Sequence, residues 1–161
     1  MDESLPLRKR PFIGVIGAGS CTNKIGDLAR EVGRIIAEKN AIIVCGGLGG
    51  VMEEASRGAK EAGGMTIGIL PGNSKHSANR YIDISIATGI GEARNLVIIK
   101  TADAVIALPG EYGTLSEMAF SLQVSKPLIS LANWEISDDV RKADNPRNAV
   151  EMAINLAEKK D

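Results

Sequence analysis

The chain has 161 residues, enough for one domain with a proper core. Its net charge is −1, only 3% of its residues are aromatic, and it has no long basic run, which argues against nucleic acid as a partner. No apolar run approaches the roughly 20 residues of a membrane helix, and Arg8-Lys9-Arg10 precedes no apolar stretch of useful length, so neither membrane nor signal peptide is expected and the protein reads as cytoplasmic.

Met1 to Arg10 is polar and reads as a flexible tail ahead of a single domain over residues 11–161. Phe12 to Gly17 is a first buried strand, followed by the loop Ala18-Gly19-Ser20-Cys21-Thr22-Asn23. Over Lys24 to Lys39 the spacing of Ile25, Leu28, Val32, Ile35 and Ile36 predicts an amphipathic helix. A second strand, Ala41 to Val44, runs into the glycine turn Cys45-Gly46-Gly47-Leu48-Gly49-Gly50. Val51, Ala55, Ala59 and Ala62 line the next helix, which Gly63-Gly64 stops. Met65 to Leu70 is a third strand, Asn73 to Arg80 a polar loop holding the only histidine, His76, and Ile82 to Ala87 a short strand. Gly89 to Thr101 reads as a helix and Ala104 to Leu108 as a strand. The stretch Leu108 to Glu117 then reverses the chain and opens a helix that runs to about Val124, with Thr114 at its N-cap. Pro127 to Leu131 is a last strand, Trp134 to Asn145 is irregular, and Pro146 to Lys160 is a helix with proline at its start.

Strands that are apolar on both faces and alternate with helices call for an α/β fold: a doubly wound, mostly parallel, Rossmann-like sheet with helices on each side. Right-handed crossovers place the strand-to-helix turns along one edge, where such folds bind ligands. A glycine turn between strand and helix collects unpaired N–H groups at the positive helix end and suits phosphate. Two such turns suggest a nucleotide-sized ligand.

Several known motifs are missing. Gly17-Ala18-Gly19 continues with Ser20-Cys21-Thr22 and so lacks the third glycine of a dinucleotide fingerprint, and no Walker lysine is present. One histidine and no G-x-S-x-G leave no Ser-His-Asp hydrolase. Cys21 and Cys45 form neither a metal site nor a disulfide framework and read as small hydrophobes. Thr114-Leu115-Ser116-Glu117 fits a capping box, yet a carboxylate beside an anion-binding loop could equally hold ribose hydroxyls or act as an acid or base. Arg94 falls near a helix start, where the dipole disfavours a cation; either solvent tolerates it or an anion or carboxylate faces it.

Gly46-Gly47-Leu48-Gly49-Gly50-Val51-Met52, Gly91-Glu92-Ala93-Arg94-Asn95 and Pro109-Gly110-Glu111-Tyr112-Gly113-Thr114-Leu115-Ser116-Glu117 occur in the order found in the LOG family, which Phe12 to Leu131 resembles. The family's signature is P-G-G-x-G-T-x-x-E. The resemblance implies a Rossmann-like phosphoribohydrolase that cuts the N-glycosidic bond of a nucleoside 5′-monophosphate, giving free base and ribose 5-phosphate. Molybdenum-cofactor carrier proteins look similar, so a non-catalytic nucleotide or pterin-cofactor carrier is the alternative. The family label "possible lysine decarboxylase" implies pyridoxal phosphate, but no lysine adjoins the glycine turns here. By position, Arg94 and Glu117 match the family's active-site arginine and glutamate. Gly110, Gly113 and Thr114 match its phosphate loop, with Glu111 and Tyr112 between them as further candidate phosphate-binding residues, Gly46, Gly47 and Gly50 match its second glycine turn, and Gly17 and Ser20 the ligand contacts after strand one. The resemblance further implies no cofactor or metal, a nucleotide-like small molecule as partner, and a homodimer or larger homo-oligomer. One departure stands out: Glu111 replaces the signature's second glycine, placing a carboxylate where a phosphate dianion is expected and a Cβ that narrows the backbone's freedom if φ is positive there.

Overall fold

A computed structural model describes residues 5–159 of the chain. Of the expected tail, Met1 to Ser4 lies outside the described residues, while Leu7–Lys9 forms one turn of 3-10 helix with exposed side chains. The strands are β1 Phe12–Ile16, β2 Ile42–Cys45, β3 Met65–Leu70, β4 Ile84–Ala87, β5 Ala104–Ala107, β6 Leu128–Ser130 and β7 Arg141–Lys142. The helices are α1 Asn23–Glu38, α2 Val51–Glu61, α3 Arg94–Thr101, α4 Tyr112–Gln123 and α5 Pro146–Glu158. All strand pairs are parallel, in the order β4-β3-β2-β1-β5-β6-β7.

The sheet is central because its middle strands have no polar face. Every residue of β2 and β5 is buried, so helices must cover both sides. On one side α1, α2 and α5 pack Val32, Ile35, Ile36, Val51, Ala55, Val150 and Ala153 on Ile13, Val15, Ile43 and Ile106. On the other, α3 and α4 bring Ile98, Ile99 and Met118 against Ile16, Ile42, Val44, Val105 and Leu128. Gly33 and Gly58 let α1 and α2 meet backbone to backbone. A Cβ at Gly33 would stand 1.8 Å from the Ala55 carbonyl oxygen, and one at Gly58 1.9 Å from that of Arg30.

The predicted elements are present, most of them with ends displaced by a residue or two, and three local differences have physical causes. The helix expected over Gly89 to Thr101 opens instead as a 3-10 turn, Gly91–Ala93, after two left-handed glycines, Gly89 at φ 66° and Gly91 at φ 62°. The irregular stretch after Trp134 contains β7, two exposed residues that pair with β6 by register alone and carry no apolar pattern. The helix after the key turn begins at Tyr112, with Glu111 as N-cap, so Thr114 is not its cap. Lys160, the expected end of α5, lies outside the described residues.

Strands β1 to β4 wind outward on one side of β1, and β5 to β7 on the other. The winding reverses between β1 and β5, whose carboxyl ends therefore part into a crevice.

Candidate functional site

The turns after β1, β2 and β5 meet at Ala18. Its N–H donates to the Pro109 carbonyl at 3.1 Å, and its own carbonyl accepts from the Val51 N–H at 2.9 Å. Glycine is required on both sides of it. A Cβ at Gly50, where φ is 62°, would lie 2.3 Å from the Ala18 oxygen, and one at Gly110 would lie 2.9 Å from its nitrogen and 2.0 Å from the Thr114 hydroxyl.

In the crevice beside this junction is a cavity of about 280 Å³, lined by Gly17 to Ser20, Met52, Arg94, Asn95, Glu111, Gly113, Thr114 and Glu117. Seven residues expected at the site are thus brought together: Gly17, Ser20, Arg94, Glu111, Gly113, Thr114 and Glu117. Met52 and Asn95 close two of the family motifs without being expected as site residues; the fold places them here. Gly46, Gly47, Gly50, Gly110 and Tyr112 do not line the cavity. Gly46 instead leaves the space that Arg94 fills, since a Cβ there would stand 2.9 Å from the guanidinium Nη2. Gly47, at φ 75°, turns the chain over Leu70 and Gly68. Tyr112 is exposed, its ring 6.1 Å from that of Trp134. A polar depression of about 370 Å³ continues past Gly19 and Ser20 between α1 and α2. A larger cavity of about 760 Å³ lies under the loop between β6 and β7 and contains neither Arg94 nor Glu117.

Arg94 is 5% exposed. Its Nη1 donates to the Asn95 side-chain oxygen, but its Nε is buried with no acceptor among the described residues. An unmet donor of this kind costs about 1–3 kcal/mol or more when charged, so the site is organised to receive an acceptor. Glu117, inside α4 rather than at its cap, is 7% exposed. Burial is the main reason its carboxyl is pushed up to about 8; Glu92 adds to the shift, while the positive charge of Arg94 opposes it without cancelling it. At neutral pH Glu117 therefore holds a proton.

The N-terminus of α4 completes the wall. Glu111 provides no side-chain cap, and the amides of Tyr112, Gly113 and Thr114 have no acceptor outside the helix among the described residues. Glu111 itself has φ −104°, ordinary extended backbone that needs no glycine, and its carboxylate is exposed. The capping-box reading of Thr114 and Glu117 is thereby replaced: both lie within the helix, and neither side chain caps it. An uncapped helix start, a buried cation and a protonated carboxyl can hold an anion and deliver a proton to whatever lies between them.

The remaining candidates lie elsewhere. His76 is exposed in the 3-10 turn Lys75–Ser77. Cys21 and Cys45 are free thiols packed on the α1 side of the core, Cys45 Sγ 3.6 Å from Ser56 Oγ. Among the described residues no group of three or more His, Cys, Asp or Glu could hold a metal ion, and no helix is long and apolar enough to cross a membrane.

The chain is similar to known proteins in sequence and in fold. The model of the SLOG cluster4 family matches residues 10–159. An uncharacterised protein of Archaeoglobus fulgidus is 43% identical over 147 residues, 91% of this chain and 97% of that one. The cytokinin riboside 5′-monophosphate phosphoribohydrolase of Mycobacterium tuberculosis is 31% identical over 140 residues, 80% of this chain and 74% of that protein. Among solved structures, the molybdenum cofactor binding protein of Rippkaea orientalis superposes with a TM-score of 0.86 at 39% identity, covering 89% of this chain and 95% of its own.

Proposed function

The chain belongs to the SLOG cluster4 family, whose proteins are LOG-like, and from that premise we propose that it is a phosphoribohydrolase. Its substrate is a nucleoside 5′-monophosphate and its products are the free base and ribose 5-phosphate. The observation that carries the reading is the pairing of a protonated, buried Glu117 with a buried Arg94 whose Nε has no acceptor among the described residues, in one cavity beside an uncapped helix.

The 5′-phosphate sits at the start of α4, on the amides of Tyr112, Gly113 and Thr114, where the helix dipole favours negative charge. Arg94 supplies the cation and takes the acceptor its Nε lacks. As the bond between C1′ and the base breaks, Glu117 gives its proton to the departing base, so the base leaves neutral. The carboxylate left behind, now beside Arg94, stabilises the cationic sugar. Water adds at C1′ and returns a proton to Glu117, restoring the starting state. The Glu111 carboxylate also stands on the cavity wall, and because it is exposed, the high dielectric of water weakens its repulsion of the phosphate.

A second reading, a non-catalytic carrier of a phosphorylated pterin or nucleotide, is favoured by Glu111 in place of the signature glycine and by the likeness to the Rippkaea orientalis protein. A carrier does not need a proton held at Glu117, and for that reason we place it second. A pyridoxal-phosphate lysine decarboxylase finds no lysine on the cavity wall. Incubating the protein with AMP and separating free adenine decides the matter. Release that falls at least 100-fold in Arg94→Ala and in Glu117→Gln supports hydrolysis; binding of AMP with no adenine formed rejects it and leaves the carrier.

The same proposal extends to self-association through the corner formed by β4 and α3. Ile84, Ile86 and Ile90 are exposed there beside the exposed Val97 of α3.

A further inference from the structure

Leaving β6, the chain does not turn away from the site but bends back over it. The Leu131 N–H extends the ladder to the Ala107 carbonyl at 2.8 Å, and the Ser130 hydroxyl accepts from the Ala132 N–H at 3.0 Å. That bend sets Asn133 and Trp134 over Gly110. The Asn133 side-chain oxygen accepts the Gly110 N–H at 3.2 Å, and the Trp134 indole N–H donates to the Gly110 carbonyl at 2.9 Å. Both backbone polar groups of one glycine are thus held by side chains from a neighbouring strand exit.

The identity of the held residue matters. Gly110 stands four residues before Thr114, so its carbonyl is the natural acceptor for the Thr114 N–H were α4 to extend backward. With that carbonyl engaged by the indole, α4 begins at Tyr112, and the Thr114 amide has no backbone acceptor outside the helix among the described residues.

We propose that Asn133 and Trp134 are positioning residues: by fixing Gly110 they keep the first-turn amides of α4 free, and so set the affinity of the site for a phosphate ester. The proposal rests on the reading that the cavity takes a sugar phosphate. Neither side chain lines the 280 Å³ cavity, and both act through Gly110.

Trp134→Phe removes the indole donor and keeps a ring against Tyr112; Asn133→Ala removes the acceptor. Calorimetric titration uses ribose 5-phosphate and ribose as probes. Each variant is expected to bind ribose 5-phosphate about tenfold more weakly, the loss from one hydrogen bond, with ribose binding unchanged. Equal weakening of both probes, or unchanged ribose 5-phosphate binding in either folded variant, overturns the proposal. Amide hydrogen exchange separates this failure from that of the functional reading. In Trp134→Phe the Thr114 amide is expected to gain protection as the freed Gly110 carbonyl accepts it, whatever the ligand. No change in that amide overturns the positioning role, whereas parent protein that binds neither probe but shows the protection change overturns only the sugar-phosphate reading.

Discussion

Glu117 gives function and stability opposite requirements. Its folded-state value, about 8, lies above the ordinary carboxylate value of 4.5, so the folded protein holds a proton that the unfolded chain releases. By linkage, ionisation adds no penalty to the burial of Glu117 below about pH 4.5. The penalty grows by about 1.4 kcal/mol per unit as pH rises toward 8 and levels off above it. Glu117→Gln should therefore melt above the parent protein, with a gap that widens between about pH 5 and about pH 8.5; a gap that stays constant would mean the carboxyl is ionised throughout. The parent's turnover should fall above about pH 8 as the transferable proton is lost. Arg94 and Glu117 were legible as a pair only through the resemblance. Spacing alone offers Glu117 a cap and Arg94 a place in solvent, and it takes the packing of α3 and α4 to bury both. Glu111 was harder still, because no sequence pattern reveals that its φ is negative and its carboxylate exposed.

Among the elements, the strands were the most legible, because β1, β2, β3 and β5 are short apolar runs between turn residues; their register was not, since a run buried on both faces reads the same after a slip of one residue. The start of α4 misleads because Thr114-Leu115-Ser116-Glu117 has the spacing of a capping box, while the helix begins two residues earlier, at Tyr112, after a Gly110 held by Asn133 and Trp134 from far along the chain. The 3-10 turn before α3 depends on glycines at positive φ, whose sign a sequence does not print. The close crossing of α1 and α2 makes a definite prediction. Gly33→Ala places a methyl within 1.8 Å of the Ala55 carbonyl oxygen, and overpacking of this kind costs about 1–3 kcal/mol or more. Denaturant midpoints should drop accordingly, although alanine is the better helix former by nearly 1 kcal/mol. A neutral or stabilised Gly33→Ala would show that the two helices can part.

For the molecule as a whole, the doubly wound sheet leaves one corner bare. By register Ile84 and Ile86 continue the row of Ile67 and Ile69, but α3 and α4 cover the strands nearer the centre. Ile86→Lys should lower the mass measured by light scattering if that corner joins two copies, and leave it unchanged if the protein is a monomer or assembles elsewhere. At the base of the sheet, β1 and β5 are joined reciprocally: the Phe12 N–H donates to the Asp103 carboxylate at 2.8 Å, and the Asp103 N–H to the Phe12 carbonyl at 2.7 Å. These partners are 91 residues apart along the chain. Because the reversal of winding sits between those two strands, the walls of the crevice come from chain segments that are strangers until this long closure is made. A chain in which β1 and β5 have not yet met therefore has the residues of the crevice but not the crevice itself.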